Sequence, residues 1–203
     1  MKLVVISPES DEPREHAVVA ALFAAGLERY HVRKPRWSRE KLVTWLQAIA
    51  PGHRSRMVLH QHHELAEAMG LLGIHCKDSS TRSELDLAQT PGFMSRSCHD
   101  LTTLDAAFGR FDAVFFSPVF PSISKPGYRP TVALTAVAER LHFRTDRERS
   151  TEVIALGGVT ASNASSCAEL GFDGVAVLGA LWQAKEPLKI FEQLQQSIAT
   201  YAA

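Results

Sequence analysis

Short apolar runs alternate with stretches of helical periodicity along almost the whole chain. Strands are predicted over Lys2–Ile6, Arg29–Val32, Arg56–Leu59, Gly73–His75, Phe93–Ser97, Ala113–Phe116, Glu152–Leu156 and Gly174–Val177. Between them the periodicity predicts helices over Glu15–Ala25, Arg39–Ile49, His63–Met69, Leu101–Phe108, Thr131–Leu141, Ala161–Leu170 and Pro187–Tyr201, with a short one over Glu84–Ala88. In the last helix Leu188, Phe191, Leu194 and Ile198 recur at helical spacing, the stripe expected of a core-facing side. Strands that alternate with helices pair in parallel through right-handed crossovers.

About eight such units in 203 residues predict an α/β fold, a single (β/α)8 TIM barrel filling residues 1–203 as one domain. An open doubly wound sheet needs five or six units and places a glycine-rich phosphate turn after its first strand. Here that position reads Ile6-Ser7-Pro8-Glu9, without glycine. Two segments break the rhythm. Residues Pro118–Pro130 hold four prolines and one glycine and read as an active-site loop. The charge-rich Arg144–Ser150 reads as a solvated connection away from the chemistry.

Composition narrows the function. Lys plus Arg equals Asp plus Glu at 22 each, so no net field recruits nucleic acid or an anionic membrane surface. No apolar run approaches the roughly 20 residues that span a bilayer. Cys76, Cys98 and Cys167 lack C-x-x-C spacing, as expected of reduced thiols in the cytoplasm. A homodimer is compatible with a barrel of this size.

In a parallel barrel the chemistry gathers beyond the C-terminal ends of the strands. Those ends deliver His31, Arg33 and Lys34; then His60, Gln61, His62 and His63; then His75, Lys77 and Asp78; then Ser97 and His99; then Ser117, Ser122, Ser124 and Lys125. The last two strands end in Gly157-Gly158 and in Gly179. Glycine lets backbone N–H groups approach a ligand, and late strand ends are where such barrels build a phosphate site. Basic groups focused on one rim of a neutral chain suit a small phosphorylated substrate. Arg33 can fork onto phosphate oxygens or serve as a structural salt-bridge partner, Lys125 can be an ordinary exposed lysine, and the glycine pair can be a plain tight turn. His31, His60, His75 and His99 are single residues at four strand ends, without the local spacing of a zinc site. Hydrogen-bonding or acid–base roles are expected of them instead.

Four blocks resemble the thiamine phosphate synthase and thiazole tautomerase (TenI-like) family of (β/α)8 barrels. They are Tyr30-His31-Val32-Arg33-Lys34; Met57 to Ala66 with Gly73-Ile74-His75; Ser95-Arg96-Ser97-Cys98-His99 running to Ser117-Pro118-Val119-Phe120-Pro121-Ser122-Ile123-Ser124-Lys125; and Ala155-Leu156-Gly157-Gly158-Val159 with Gly174-Val175-Ala176-Val177. The resemblance implies pyrophosphate binding by Arg33 and Lys125, with Lys34 compensating for the proline that follows it. It implies thiazole phosphate binding by Gly157, Gly158 and Gly179, with Ser122 and Ser124 in the same loop as Lys125, and it places Ser97 near the reacting groups.

The synthases also hold Mg²⁺ on two aspartates. At the matching positions this chain has Gln61 and, at about the second, Ser80, with Asp78 close enough to replace one carboxylate. The resemblance therefore leaves Mg²⁺ doubtful and three functions in view. The first is a synthase joining hydroxymethylpyrimidine pyrophosphate to thiazole phosphate, with Arg33, Lys34, Lys125 and protonated histidines covering the metal's share. The second is a thiazole tautomerase using His31, His60 or His99 as base, since the family's tautomerase histidine falls at Pro118. The third is a barrel that binds thiamine precursors without turning them over.

Overall fold

A computed structural model of the chain describes residues 1–77, 92–121, 127 and 129–199. Eight strands close a barrel in chain order: β1 Lys2–Ile6, β2 Arg29–Val32, β3 Met57–Leu59, β4 Gly73–Cys76, β5 Phe93–Cys98, β6 Ala113–Phe116, β7 Glu152–Leu156 and β8 Gly174–Val177. Every neighbouring pair is parallel, and β8 returns to β1 with Leu3 opposite Val175. All strand C-termini therefore share one pole. The predicted strands are found to within a residue or so at each end.

The period of two in each strand divides the core. Leu3, Val5, Tyr30, Val32, Met57, Leu59, Val114, Phe116, Val153 and Val175 face the helices. Val4, Ile6, Ala113, Phe115, Ile154 and Ala176 form a second cluster inside the barrel. Beneath this layer, Arg29 reaches Glu152 at 3.1 and 3.2 Å and lies 4.1 Å over the Phe93 ring. Lys2 pairs with the same carboxylate. An ionic plug thus closes the N-terminal end of the barrel interior, and the open end lies at the opposite pole.

The helices are α1 Glu15–Ala24, α2 Arg39–Gln47, α3 Pro51–Arg54, α4 Leu65–Ala68, α5 Leu101–Ala107, α6 Leu134–His142, α7 Ala164–Glu169, α8 Gly179–Trp182 and α9 Pro187–Ala199. Ser38 caps α2 by accepting from the Lys41 amide, and Asp100 caps α5 by accepting from the Thr103 amide at 2.7 Å. Several helices are shorter than their periodicity predicts. The predicted His63–Met69 segment is α-helical only over α4, because Leu65 and Ala66 donate to the His62 and His63 carbonyls, three residues back, in a tighter first turn. In α9 the buried stripe is Pro187, Phe191, Leu194 and Ile198, with Leu188 exposed: the core-facing side is rotated by one residue at its start. The predicted Glu84–Ala88 helix lies outside the described residues.

The Arg144–Ser150 segment is a mostly exposed connection, as expected of it, except at Arg144. Arg144 is 6% exposed and binds Asp173 at 2.6 and 3.1 Å, and it also donates to the Leu141 and Gly171 carbonyls. It latches the connection before β7 to the residue preceding β8. Charge density in sequence did not distinguish a buried latch from solvated polar residues.

Candidate active site

The two late glycines lie under another loop. Val119 donates its amide to the Leu156 carbonyl at 2.9 Å, and Phe120 donates to the Gly157 carbonyl at 3.0 Å. A Cβ on Gly157 would stand 2.9 Å from the Pro118 Cα, and one on Gly158 would stand 2.4 Å from the Pro121 carbonyl oxygen. Both glycines have positive φ, +96° and +67°. The pair is thus more than a tight turn. It lets the chain beyond β6 run directly across the end of β7. Asn163 donates from Nδ2 to the Gly158 carbonyl at 3.0 Å and fixes the turn against α7. Gly179 opens α8 beyond β8, at the same pole.

Arg33 follows β2. Its amide donates to Ser7 Oγ at 2.7 Å, and Ser7 Oγ donates to the Arg33 carbonyl at 3.1 Å, which ties the ends of β1 and β2 together. The guanidinium pairs with Glu9 and remains about a third exposed. The neighbouring Lys34 goes the other way. It is fully buried, donating to Glu15 Oε2 at 2.6 Å and to the Ser10 carbonyl at 3.1 Å. Tyr30 donates its hydroxyl to Glu15 Oε1 at 2.8 Å. Burial pushes the Glu15 carboxyl up and the Lys34 ammonium down, and their shared hydrogen bond opposes both shifts. Lys34 therefore holds α1 to the end of β2, which corrects its expected place in the pyrophosphate site. Glu15 was missed, because a glutamate in a first helical turn reads as a dipole partner.

Inside the mouth lie His31, His60 and His75, from three successive strands or their ends. One ligand atom from each lies within 4.8 Å of the others. His31 Nδ1 is 3.1 Å from His60 Nε2, and the His60 and His75 rings stack with centroids 4.1 Å apart. His75 is clamped by two serines of β5, Nδ1 to Ser95 Oγ and Nε2 to Ser97 Oγ, each at 2.9 Å. Burial is the largest cause holding all three imidazoles below their usual range. His31 and His60 lie well below it and His75 at about 3, with Arg33, Arg29, Arg96 and the other histidines adding repulsion. They are neutral at pH 7. This corrects the expectation that protonated histidines supply positive charge, and so weakened an imidazole makes a poor general base. The zinc-spacing criterion missed the cluster because its members are far apart in sequence and meet only through parallel register: His31 pairs with Val58, and His75 with Ser95.

His99 stands apart from this group. Its Nδ1 lies 2.7 Å from the Ser117 carbonyl oxygen and bridges β5 to the start of the β6 loop. Ser122, Ser124, Lys125 and Asp78 lie outside the described residues. The described residues do not fit Mg²⁺. Gln61 beyond β3 offers an uncharged amide whose buried Nε2 has no partner among the described residues, and Glu9 is paired with Arg33. A cavity of about 410 Å³ lined by Lys2, Glu28, Asp173 and Phe191 lies at the plugged pole, where barrels carry stability rather than chemistry.

A closed parallel barrel with its polar groups drawn to the strand C-termini belongs to the class of (β/α)8 enzymes, whose substrates enter at that pole. Its relatives identify the family. The model of the thiamine monophosphate synthase family matches residues 3–181, and the chain belongs to that family. The chain is 28% identical to the thiamine-phosphate synthase of Chromobacterium violaceum, covering 91% of this chain and 89% of that protein. It is 30% identical to that of Methylobacillus flagellatus, covering 91% and 88%. The crystal structure of thiamine phosphate pyrophosphorylase from Bacteroides thetaiotaomicron superposes with a TM-score of 0.79 at 27% identity, covering 98% of each chain. The Pyrococcus furiosus thiamine phosphate pyrophosphorylase superposes at 0.82 and 19% identity, covering 100% of this chain and 97% of that one, a likeness of fold. The chain is a thiamine-phosphate synthase-like enzyme, a transferase of thiamine biosynthesis. No described helix is long and apolar enough to cross a membrane.

Proposed function

We propose that the chain joins hydroxymethylpyrimidine pyrophosphate to thiazole phosphate in the mouth of this barrel. The match to the family from residue 3 to residue 181 carries the reading, because it spans every strand end that lines the mouth. The C–O bond to pyrophosphate breaks with its electron pair on the leaving group, and the thiazole nitrogen closes the new C–N bond onto the resulting cation. No electron is gained or lost overall. Such a reaction asks the protein to position two partners and to stabilise a departing anion.

Arg33 takes the pyrophosphate, with Lys125 as its second cation, and the Gly157-Gly158 turn with Gly179 takes the thiazole phosphate. Ser122 and Ser124 belong to the same proposed phosphate-binding rim. Ser97, held by His75, faces the reacting groups. The neutral histidines leave the developing charge to the arginine and lysine. Mg²⁺ is the family's way of neutralising pyrophosphate, and the described residues offer no oxygen set for it. The substrates are small, charged and soluble, in keeping with a cytoplasmic enzyme.

Incubating the protein with both substrates, with and without Mg²⁺, and measuring thiamine phosphate and pyrophosphate tests the reading. Stoichiometric appearance of the two products is the expected result. Their absence under both conditions rejects the synthase.

A further inference from the structure

We propose that His31, His60 and His75 form a binding site for a divalent transition-metal ion of the zinc type, held by imidazole nitrogen inside the barrel mouth. This goes beyond the synthase reading and does not depend on it.

Three observations carry the inference. First, the donors converge from β2, the end of β3 and β4, with one ligand atom of each within 4.8 Å of the others. Tetrahedral zinc with Zn–N bonds of about 2.0–2.1 Å needs its nitrogens roughly 3.3 Å apart. His31 Nδ1 and His60 Nε2 already stand at 3.1 Å.

Second, His31 is 0% exposed; its Nδ1 faces His60, and its other ring nitrogen, Nε2, is buried with no hydrogen-bond partner among the described residues. A buried polar atom without a partner is uncommon, because the interior does not replace the water it loses. Small barrels fill their interior with branched aliphatic packing, as Val4, Ile6 and Ile154 do here. Three imidazoles in its place call for a reason that hydrogen bonding within the cluster leaves incomplete.

Third, the donor set and its surroundings select the ion. Imidazole nitrogen suits zinc, cobalt, nickel and copper, whereas magnesium and calcium take oxygen. Ser95 holds His75 at Nδ1, the usual arrangement around a ligating histidine, and Nε2, which now lies 2.9 Å from Ser97 Oγ, would exchange that hydroxyl for the ion. Three protein ligands leave a fourth position open toward the mouth, as zinc sites that bind a small ligand do.

The test uses the untagged full chain, freed of metal with a chelator and titrated with Zn²⁺ alone and with Co²⁺ alone. The expected result is one equivalent bound, with the intense visible absorption of tetrahedral cobalt. H60A and H75A should each weaken binding by at least about 100-fold, since loss of a mere supporting partner already costs 10- to 100-fold. H62A and H99A should retain it. Because the buried variants can lose their fold, ring resonances of the nine histidines are followed in the wild type during the Zn²⁺ titration. Shifts confined to three buried rings support the site. Failure to bind one equivalent, binding that survives H60A and H75A in folded protein, or shifts at other histidines instead would overturn it.

Discussion

The Phe120 amide donates to the Gly157 carbonyl at 3.0 Å, so the loop beyond β6 and the turn beyond β7 form one hydrogen-bonded unit. The next glycine lies closer still to that loop, with 2.4 Å between its ideal Cβ and the Pro121 oxygen. Gly158→Ala therefore adds a backbone collision to the strain of an L residue at φ +67°. Gly70, at φ +66° with nothing within 4 Å of its Cβ, isolates the strain alone. The G70A variant should cost about 1 kcal/mol and G158A about 3 kcal/mol, with G158A also raising KM for both phosphorylated substrates. Denaturant unfolding and initial rates measure the pair. Equal costs would mean that the loop yields freely.

Lys34 and Glu15 test burial against binding. Removing one member of a buried ion pair strands the other charge, at about 3–5 kcal/mol, while replacing both members by groups of similar shape costs far less. K34M is expected to destabilise strongly and K34M/E15Q to recover most of the loss. Tyr30→Phe removes only the second hydrogen bond to Glu15, worth about 1–2 kcal/mol. Urea unfolding of the four proteins checks this order. A K34M variant that keeps its stability and loses pyrophosphate affinity would return Lys34 to the mouth.

The barrel was legible because its signals are local. Apolar runs such as residues 3–6 and 153–156 state their period within four or five residues, and chain order then fixes the topology. The rim was legible for the same reason, since any residue just past a strand end must lie there. What a side chain does at the rim was not. Arg33 and Lys34 are adjacent in sequence, yet one faces the mouth and the other turns behind it to a glutamate on α1. The His31, His60 and His75 cluster is set by register between strands, and no spacing along the chain encodes that.

Glu148 predicts one feature of acid unfolding. The Thr145 amide at 2.7 Å, Arg140 and the Thr145 hydroxyl at 3.0 Å hold its carboxyl at about 2, against an ordinary 4.5. A folded-state pKa below the unfolded one stabilises the fold above pH 4.5, and that contribution is lost as the pH falls through about 2. E148Q should flatten the fall in stability across this window and leave the slope above it unchanged. Urea midpoints for both proteins at several pH values supply the comparison. An equally steep acid fall in E148Q would assign it to other carboxylates.

Arg33 and Glu9 predict how the mouth receives its substrate. The guanidinium is held by a carboxylate, while the proposed ligand is a pyrophosphate that needs the same N–H groups. Glu9 therefore competes with the anion and repels it. Loss of Arg33 in R33A should lower kcat/KM by about 10- to 100-fold, the worth of one hydrogen bond to a charged group. E9Q removes the competing charge and keeps the arginine, so added pyrophosphate should inhibit it at lower concentration than the wild type. In R33A the effect of E9Q should shrink, because the group they share is gone. Inhibition by pyrophosphate across the four members of this cycle measures the coupling directly. Weaker inhibition of E9Q would assign Glu9 the opposite part, holding Arg33 in the pose that the leaving group meets.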